Sequence, residues 1–493
     1  MSFSFVSALS CMVCSFPRAS APGVLATKIA EFRGKSKCAP HLLCAGAYAT
    51  MGKRKNRAAP LRRVAHRRRE AMEAIRTVTE RAREIPVAGA ADVVVVGGGL
   101  AGVSAALAAA RSGAKVILLE KSCVLGGLAT LGHVCIYLPI DDGAGHKIYG
   151  GLAEELLHRC ICYGYDDLPD CWRSGPDTVE APTGRYRTTF NIPAAVCALD
   201  EALEEAGVEV VFDTCFCAPV MDGSAVTAVL VENKSGRSAY LAKQFVDASG
   251  DSDLLYRAGA ATETRGDNIV SHWAYELDLA DERVQRGAAQ SDVLTALRLR
   301  WLGLQPNRDN SGSAIPTFDG TSSAGVNGYL RTARHLELDC LKAENRPGWA
   351  HLTMPMAPQF RMTRRLVGVK ELALEPGVSV DSSIGCVIFS LAKEAAVYEF
   401  PYEGLIDKRI ENVLAAGRMV SAGGRGWEIM RFIPACVLTG QAAGTAAAMA
   451  ARAGCAVQAL DVAALQRALS DAGVKIHMSD AVRGNRGTAP ERH

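Results

Sequence analysis

The stretch that decides the fold is Asp92-Val-Val-Val-Val-Gly97-Gly98-Gly99-Leu-Ala-Gly102, in which an apolar run leads into a glycine-rich turn. The apolar run predicts a buried strand, and residues 103–111 behind the turn predict a helix. The glycines form the pattern GxGxxG, in which Gly97 permits a tight bend, Gly99 lets a pyrophosphate approach the backbone and Gly102 lets the helix pack on the strand. The sequence therefore predicts a binding site for a dinucleotide, with the phosphates facing the N-terminus of that helix.

The residues after this helix extend the nucleotide-binding unit by one strand. Residues 115–119 form a second apolar run, which ends at Glu120, 23 positions after Gly97. A carboxylate at this place accepts hydrogen bonds from both ribose hydroxyls and would repel a 2′-phosphate. The order of strand, turn, helix, strand and acid favours a nucleotide site over a chance glycine-rich turn, although both NAD and FAD fit it.

Two later segments have patterns that we expect to return to the same nucleotide. In the first, the patterns predict a helix at residues 194–206, a strand at residues 208–213 and a hairpin before a strand that ends in Ala248-Ser249-Gly250. Small residues at a strand end leave room for the adenosine part of a nucleotide. A buried strand that ends in Ser-Gly for purely structural reasons is the alternative.

The second of these segments contains Gly417-Arg418 and an apolar helix with Pro434 near its start. Proline suits the first position of a helix, because the N–H that it lacks would have no partner there. Gly440 and Gly444 leave a stripe without side chains, which predicts close packing against a sheet or a ring. The positive end of the helix is expected to point at a site of developing negative charge.

A second glycine pair, Gly126-Gly127, lies one loop beyond Glu120 and favours FAD over NAD. With this pair included, residues 92–130, 208–259 and 361–451 resemble the FAD-dependent oxidoreductase family of the glutathione reductase-like flavoprotein superfamily, near fumarate reductase flavoproteins and heterodisulfide reductase A-like proteins. These segments comprise 182 of the 493 residues, somewhat more than a third of the chain. The resemblance implies FAD as the cofactor and an α/β, Rossmann-like two-dinucleotide-binding-domain fold with a discontinuous FAD domain and an inserted substrate or cap domain.

The resemblance also implies the cofactor contacts. In that assignment the glycines of the first turn hold the pyrophosphate, Glu120 holds the ribose and Gly126-Gly127 lie beside the ribityl chain. Later residues line the adenosine end and then the pyrophosphate and flavin. The full implied set is Gly97, Gly99, Leu100, Ala101, Gly102, Glu120, Lys121, Gly126, Gly127, Ala129, Thr130, Val210, Ala248, Ser249, Gly250, Gly417, Arg418, Gln441, Ala442 and Gly444.

The predicted domain organisation alternates between cofactor and cap segments. The FAD-binding segments are residues 71–135, 191–262 and 401–454, the cap segments are residues 136–190 and 263–400, and the ends are a basic extension at residues 1–70 and a C-terminal helix and tail at residues 455–493. Within the second cap segment, the patterns predict helices at residues 291–302 and 329–342, joined through a loop rich in Gly, Ser and Asn at residues 307–328. This cap is expected to govern specificity.

Two side chains after the second glycine pair are candidates for proton chemistry. His133 and Tyr137, together with Cys135, share one face if their stretch is extended. His133 would then shuttle a proton near neutral pH, and Tyr137 would donate a hydrogen bond. A core histidine with satisfied hydrogen bonds and a packing tyrosine are the alternative.

Two arginines are candidates for binding negative charge. Arg364, in the segment that begins at Arg361, suits a substrate carboxylate or a flavin phosphate, and its alternative is a solvated strand end. Arg431 precedes the predicted helix that starts near Pro434, which favours a positive charge near the flavin ring. Its alternative is an ion pair with Glu428, three residues earlier.

Charge and cysteine content limit the other partners. The net charge of +3 divides into +12 for residues 1–70 and −9 for the rest, so no nucleic acid is expected on the folded body. The 16 cysteines show neither a disulfide framework nor the spacing of an iron–sulfur cluster or a redox dithiol, so we predict reduced thiols and no metal. No apolar run is long enough for a membrane span. A cytoplasmic location is expected, with organelle targeting by the N-terminal extension left open.

The sequence therefore predicts an FAD-dependent oxidoreductase that transfers hydride or electrons between bound flavin and a small organic substrate. One alternative is a reductase of an unsaturated carboxylate, similar to fumarate reductase flavoproteins. Another is a flavin-holding module that serves an electron-transfer partner, or that is tethered to nucleic acid by its basic extension, with little turnover alone. The substrate and the direction of the reaction are left open.

Overall fold

A computed structural model describes residues 77–266, 268–269, 271–286, 297–303, 315–343 and 348–484 of the chain. The basic extension predicted at residues 1–70 lies outside this range, as do the last nine residues of the predicted tail. Residues 83–493 form one compact unit, whose fold follows. Residues 77–82 belong to a separate unit and contain no helix or strand.

The described part of this unit contains both strands and helices. The strands are β1 (Val87–Val96), β2 (Val116–Leu119), β3 (Ile136–Tyr137), β4 (Thr188–Thr189), β5 (Glu209–Val211), β6 (Cys215–Asp222), β7 (Ala225–Asn233), β8 (Gly236–Asp247), β9 (Thr262–Thr264), β10 (Asn268–Ile269), β11 (Ser271–Asp278), β12 (Leu297–Gly303), β13 (Thr317–Phe318), β14 (Trp349–Thr353), β15 (Arg364–Leu366), β16 (Ser383–Ile388), β17 (Val397–Pro401) and β18 (Val413–Ala415). The helices are α1 (Leu100–Arg111), α2 (Leu152–Ile161), α3 (Ile192–Glu205), α4 (Asp253–Arg257), α5 (Glu282–Gln285), α6 (Ser323–Ala343), α7 (Gly424–Met430), α8 (Ile433–Ala453), α9 (Val462–Asp471) and α10 (Asp480–Gly484).

The central sheet has the strand order β5-β2-β1-β8-β7-β6, with β18 also paired to β8. Strands β5, β2, β1, β8 and β18 run parallel, whereas β6, β7 and β8 form an antiparallel meander. Both apolar runs of the nucleotide-binding unit are buried, as parallel strands covered on both faces require. The predicted α/β fold is confirmed, including the predicted strand and helix near residues 194–213, which the structure has as α3 and β5.

Helix α8 packs directly against α1 beside the sheet. A Cβ atom on Gly440 would lie 2.2 Å from the carbonyl oxygen of Ala101, and one on Gly444 would lie 2.0 Å from that of Ala105. The stripe without side chains therefore lets two helix backbones approach each other, which corrects the prediction that it packs on a sheet or a ring. Of the helices described, α8 is long and apolar enough to cross a membrane, and 89% of its most apolar window is buried inside the protein.

The cap region contains a small antiparallel sheet in the order β12-β11-β14. The predicted helix at residues 291–302 is wrong from residue 297 onward, because residues 297–303 form β12 and pair with β11, and its residues 291–296 lie outside the described residues. The alternation Leu297-Arg-Leu-Arg300 has the period of two that suits a strand, and it outweighs the helical pattern. The predicted helix at residues 329–342 is confirmed as part of α6, which begins at Ser323, inside the predicted loop.

The carboxyl ends of the parallel strands meet at one edge of the central sheet. Strand β1 leads into the turn at Gly97, β8 leads into Ala248, and β18 leads into Gly417. Ladder hydrogen bonds hold β8 between β1 and β18, so these three ends are neighbours. In open α/β sheets, ligands bind in the crevice outside such strand ends.

Candidate functional site

A cavity of about 110 Å³, here called the nucleotide cavity, opens at these strand ends. Its lining comes from three parts of the chain that are far apart in sequence. The residues are Gly99, Leu100, Ala101, Gly126, Leu128, Ala129, Val134, Ala248, Gly250, Arg361, Ala416, Gly417, Arg418, Arg431, Ile433 and Cys436. The structure therefore brings ten of the predicted site residues to one cavity, whereas sequence patterns alone did not single out Leu128, Val134, Ala416, Ile433 or Cys436.

The glycine turn has the geometry that its spacing predicts. Gly97 has a φ of +105°, which favours glycine, and a Cβ on it would lie 2.5 Å from the carbonyl oxygen of Ala248. A Cβ on Gly102 would lie 1.8 Å from the carbonyl oxygen of Gly97, so only glycine lets the helix start this close to the strand. By contrast, no described atom lies within 4 Å of a Cβ on Gly99. The backbone there is open to the cavity.

Two helices begin at the nucleotide cavity without side-chain caps. Neither Gly99 before α1 nor Phe432 before α8 supplies a capping side chain, and neither helix has an acid in its first turn. The first residues of both helices, Leu100 and Ile433, line the cavity. The free N–H groups and the positive dipole ends of two helices therefore favour an anionic group.

Three arginines add positive charge to the cavity, and only one of them has an acidic partner. Arg418 lies 2.7 Å from the carboxylate of Asp251 and also donates to the carbonyl of Gly250. Arg361 and Arg431 have no carboxylate within ion-pair distance in the described part of the chain, and Arg431 Nε is buried without a hydrogen-bond partner. Burial lowers the pKa of Arg361 to about 9, with a further contribution from Arg431, and lowers that of Arg431 to about 10. Both remain charged at neutral pH, so a bound anion would offset their desolvation.

The carboxylate of Glu120 lies at the edge of the glycine turn and is almost fully buried. It accepts hydrogen bonds from Gly98 N at 2.6 Å and from Ser122 N at 2.7 Å. These two donors orient the carboxylate at the end of β2, next to the turn. That position matches the one expected of a ribose ligand, and its contact with ribose stays a prediction.

A model of the FAD dependent oxidoreductase family matches residues 92–281 and 386–469, which together make up more than half of the chain. The chain belongs to this family. Among curated relatives, the L-aspartate oxidase of Mycobacterium tuberculosis is 29% identical over 212 residues, which cover 38% of this chain and 40% of the relative. The fumarate reductase (cytochrome) of Shewanella frigidimarina is 68% identical over 40 residues, which cover 8% of this chain and 7% of the relative.

The solved structures that match this FAD-dependent oxidoreductase are more distant from it in sequence. The p-nitrophenol 4-monooxygenase PnpA of Pseudomonas putida is 14% identical, with a TM-score of 0.43 and coverage of 80% of this chain and 91% of that one. A geranylgeranyl bacteriochlorophyll reductase-like protein of Thermoplasma acidophilum is 13% identical, with a TM-score of 0.40 and coverage of 80% and 95%. The chain spans about 40% of the length of the L-aspartate oxidases that it matches.

The residues of the nucleotide cavity fit FAD, the cofactor of this family. The uncapped starts of α1 and α8 and the opening beside Gly99 suit the diphosphate of the cofactor. The unpaired arginines Arg361 and Arg431 suit the negative charge that a reduced flavin or its substrate carries. Cys436 faces the same space, and burial raises the pKa of its thiol to about 12, so it stays protonated and is a poor nucleophile.

Replacing Glu120 with Gln is expected to weaken FAD binding about 3- to 10-fold, because one acceptor oxygen is lost and the charge is removed. The measurement is a titration of the apoprotein with FAD, followed by flavin fluorescence. Asp92→Asn is the matched control, since Asp92 accepts from the backbone N–H of Lys115 at 2.9 Å, at the other end of the neighbouring strand. Equal losses of FAD affinity in the two variants would contradict the ribose assignment.

Three residues of the last predicted segment do not reach the nucleotide cavity. Gln441 Oε1 accepts from Leu152 N at 2.9 Å at the start of α2, Ala442 is fully buried, and Gly444 contacts the backbone of α1. These residues lie further along α8 than the residues that line the cavity, and their contact with the flavin stays a prediction. Ile433 and Cys436, in the first turns of the helix, face the cavity instead.

Two predicted catalytic side chains also lie elsewhere. Arg364, in β15, stacks on the ring of Tyr256 at 3.8 Å and lies 3.5 Å from the carboxylate of Asp253. Arg361, three residues earlier, lines the nucleotide cavity instead. Tyr137 is fully buried, and its hydroxyl donates to the carbonyl of Ala153 at 2.6 Å. Its hydrogen bond serves packing, as the alternative interpretation of this residue states.

His133 and Cys135 line a second cavity of about 560 Å³. The stretch that holds them is not extended throughout, because His133 has a φ of +56°. His133 and Cys135 both face this cavity, whereas Tyr137 is buried against Ala153, so the predicted shared face does not include Tyr137. Val134 lines the nucleotide cavity, so the segment around it is a wall between the two cavities.

Proposed function

We propose that the protein transfers hydride or electrons between bound FAD and a small substrate that carries a carboxylate group. FAD supplies the redox chemistry when it is bound. The observation that carries the proposal is a pair of arginines without acidic partners in the described part of the chain: Arg361, which is buried, and Arg431, which is partly buried with its Nε enclosed. Guanidinium groups bind carboxylates through paired hydrogen bonds.

The relatives support an acidic substrate by what their names state. An L-aspartate oxidase and a fumarate reductase act on carboxylic acids, and both match part of this chain. Arg418 is already paired with Asp251, so Arg361 and Arg431 are the cations of the cavity that remain for a substrate acid. Leu128, Val134 and Ile433 surround them with apolar surface, which excludes water and strengthens the attraction between guanidinium and carboxylate.

The test uses the full-length protein loaded with FAD and kept free of oxygen. Amino and hydroxy acids serve as electron donors to the oxidised protein, and unsaturated acids serve as acceptors for the photoreduced protein, each beside its amide, as in fumarate and fumaramide. We expect the visible flavin spectrum to change with an acid and to stay unchanged with its amide. Flavin that reacts equally with acid and amide, or with no acid in the panel, would overturn the assignment of a carboxylate substrate.

The arginines give a second readout of the same proposal. Arg361→Gln and Arg431→Gln are expected to lower the rate of the flavin change about 10- to 100-fold at subsaturating acid, since hydrogen bonds between charged groups are lost. Arg361→Lys is expected to recover part of the rate, because it keeps the charge and loses the paired geometry. FAD content, read from the absorbance ratio, separates a loss of substrate binding from a loss of cofactor.

A further inference from the structure

The second cavity, at about 560 Å³, has the size of a small-molecule site. Its wall combines aromatic and aliphatic surface with a few polar groups. The lining residues are His133, Cys135, Ile136, Tyr165, Asp167, Thr189, Phe190, Asn191, Ile192, Pro193, Tyr275, Leu352 and Thr353. They come from β3, the start of α3, β11 and β14, so the cofactor domain and the cap both contribute.

The charge of this cavity differs from that of the nucleotide cavity. Among the described residues that line this cavity, Asp167 is the one acidic residue, and none is a lysine or an arginine. The carboxylate of Asp167 already accepts from the backbone N–H of Thr189. Burial lowers the pKa of His133 to about 4, with a further lowering from His272, so the imidazole is neutral at physiological pH. A ligand of this cavity therefore meets no lysine or arginine among the described lining residues, which disfavours an anion.

The shape of the wall favours a flat ring. Tyr165, Phe190 and Tyr275 present aromatic surface, and aliphatic side chains such as Ile192 and Leu352 fill the spaces between them. Aromatic groups pack well against ring systems in stacked or edge-on arrangements. The rings of His133 and Tyr275 already lie 5.5 Å apart at a tilt of 55°, within the range of such pairs.

Most polar groups of the lining are satisfied within the protein, with one exception. The hydroxyl of Tyr275 shares a hydrogen bond with the sulfur of Cys135. Asn191 caps α3, and its Oδ1 accepts a hydrogen bond from Ala194 N. His133 Nε2 and Thr353 Oγ1 lie 3.4 Å apart, which is longer than a good hydrogen bond. An oxygen acceptor placed between these two donors would satisfy both better than they satisfy each other.

We propose that the second cavity is a separate binding site for a neutral, flat ring compound with a carbonyl oxygen, held by His133 and Thr353. This site goes beyond the proposed oxidoreductase function, because the wall around Val134 separates its occupant from the nucleotide cavity. The aromatic wall takes the ring, and the two donors take the carbonyl. The strained backbone of His133 holds the imidazole at the rim of the site.

The test measures binding without turnover, on the full-length protein loaded with FAD. Two neutral probes, tetramethyl-1,4-benzoquinone and 2-(hydroxymethyl)anthraquinone, are compared with anthraquinone-2-sulfonate, which has the same tricyclic ring and a negative charge. All three resist addition of thiols, so the free cysteines do not interfere. Equilibrium dialysis is expected to show one neutral molecule bound per chain and at least 10-fold weaker binding of the sulfonate.

Variants of the lining residues test whether the probe binds in the second cavity. His133→Asn keeps a residue that tolerates positive φ, and Thr353→Val keeps the shape of the side chain, so both variants are expected to fold. Each is expected to weaken the binding of the neutral probes about 3- to 10-fold. Ile192→Trp fills the cavity and is expected to abolish binding. Tyr163→Phe, which removes a hydroxyl from an exposed side chain outside the lining, is the control. FAD content is expected to stay the same in all four.

Three results would overturn the proposal. These are no binding of either neutral probe, equal binding of the sulfonate, and neutral binding that survives both His133→Asn and Ile192→Trp. Because no redox step is involved, these outcomes are independent of whether a carboxylic acid reacts with the flavin. Failure of the acid panel likewise leaves the binding result unaffected.

Discussion

Replacing Gly99 with alanine is expected to leave the protein folded and to weaken FAD binding about 5- to 150-fold. A Cβ at this position meets no described atom within 4 Å, so the polypeptide itself accommodates it. The same Cβ projects into the nucleotide cavity, at the place where a pyrophosphate must approach the backbone. Pushing the phosphate away costs about 1–3 kcal/mol, as overpacking does elsewhere. The measurement combines thermal unfolding of the apoprotein with an FAD titration.

Two other glycines make this experiment selective. Gly266→Ala is the matched control, since its Cβ also meets no described atom and lies outside the cavity lining, and neither stability nor FAD affinity should change. Gly102→Ala is the opposite case, because its Cβ would lie 1.8 Å from the carbonyl oxygen of Gly97. That variant should lower the melting temperature before any cofactor is added. If Gly99→Ala destabilised the apoprotein as much as Gly102→Ala, the cavity would not be open at Gly99.

The features that the sequence predicts best are those set by local spacing. The turn from β1 into α1 follows from three glycines and two apolar runs, and its consequences can be checked at Gly97 and Gly102 without knowledge of the rest of the fold. The position of Glu120 follows equally from strand length. The convergence of Gly417 on the same edge depends on β18 pairing with β8. The resemblance to a known family implied that Gly417 lies along the cofactor, and the strand pairing that brings it there was not predicted.

The features that the sequence predicts poorly depend on tertiary contacts or on a single backbone angle. Arg361 and Arg364 are equivalent in the sequence, and the pairing of β15 with β9 decides that Arg364 turns away from the cavity. His133 has a positive φ, which interrupts the extended stretch that the sequence predicts, and it lines a different cavity from its neighbour Val134. Along α8, the close contact of Gly444 with α1 decides which end of the helix reaches the cofactor.

Arg431→Gln is expected to make the reduction potential of bound FAD about 30–60 mV more negative, because it removes a partly buried positive charge that stabilises the reduced flavin. The potential is measured by equilibration with a reference dye. The same change should raise the melting temperature of the apoprotein, since an uncompensated buried charge is costly to the fold. General damage to the protein would lower the melting temperature. It therefore cannot explain a higher melting temperature together with a more negative reduction potential.

Arg364→Gln tests whether the effect on the reduction potential is specific to Arg431 or follows the loss of any arginine of the protein interior. Arg364 is buried, and its charge lies near Asp253, outside the nucleotide cavity. Its replacement should lower the melting temperature, because it leaves the carboxylate of Asp253 without its cation, and should leave the flavin potential unchanged. Arg431→Lys should leave the reduction potential close to that of the unsubstituted protein, since the positive charge remains. If Arg364→Gln shifted the potential as far as Arg431→Gln, the flavin would sense the overall charge of the protein and not a cation placed beside it.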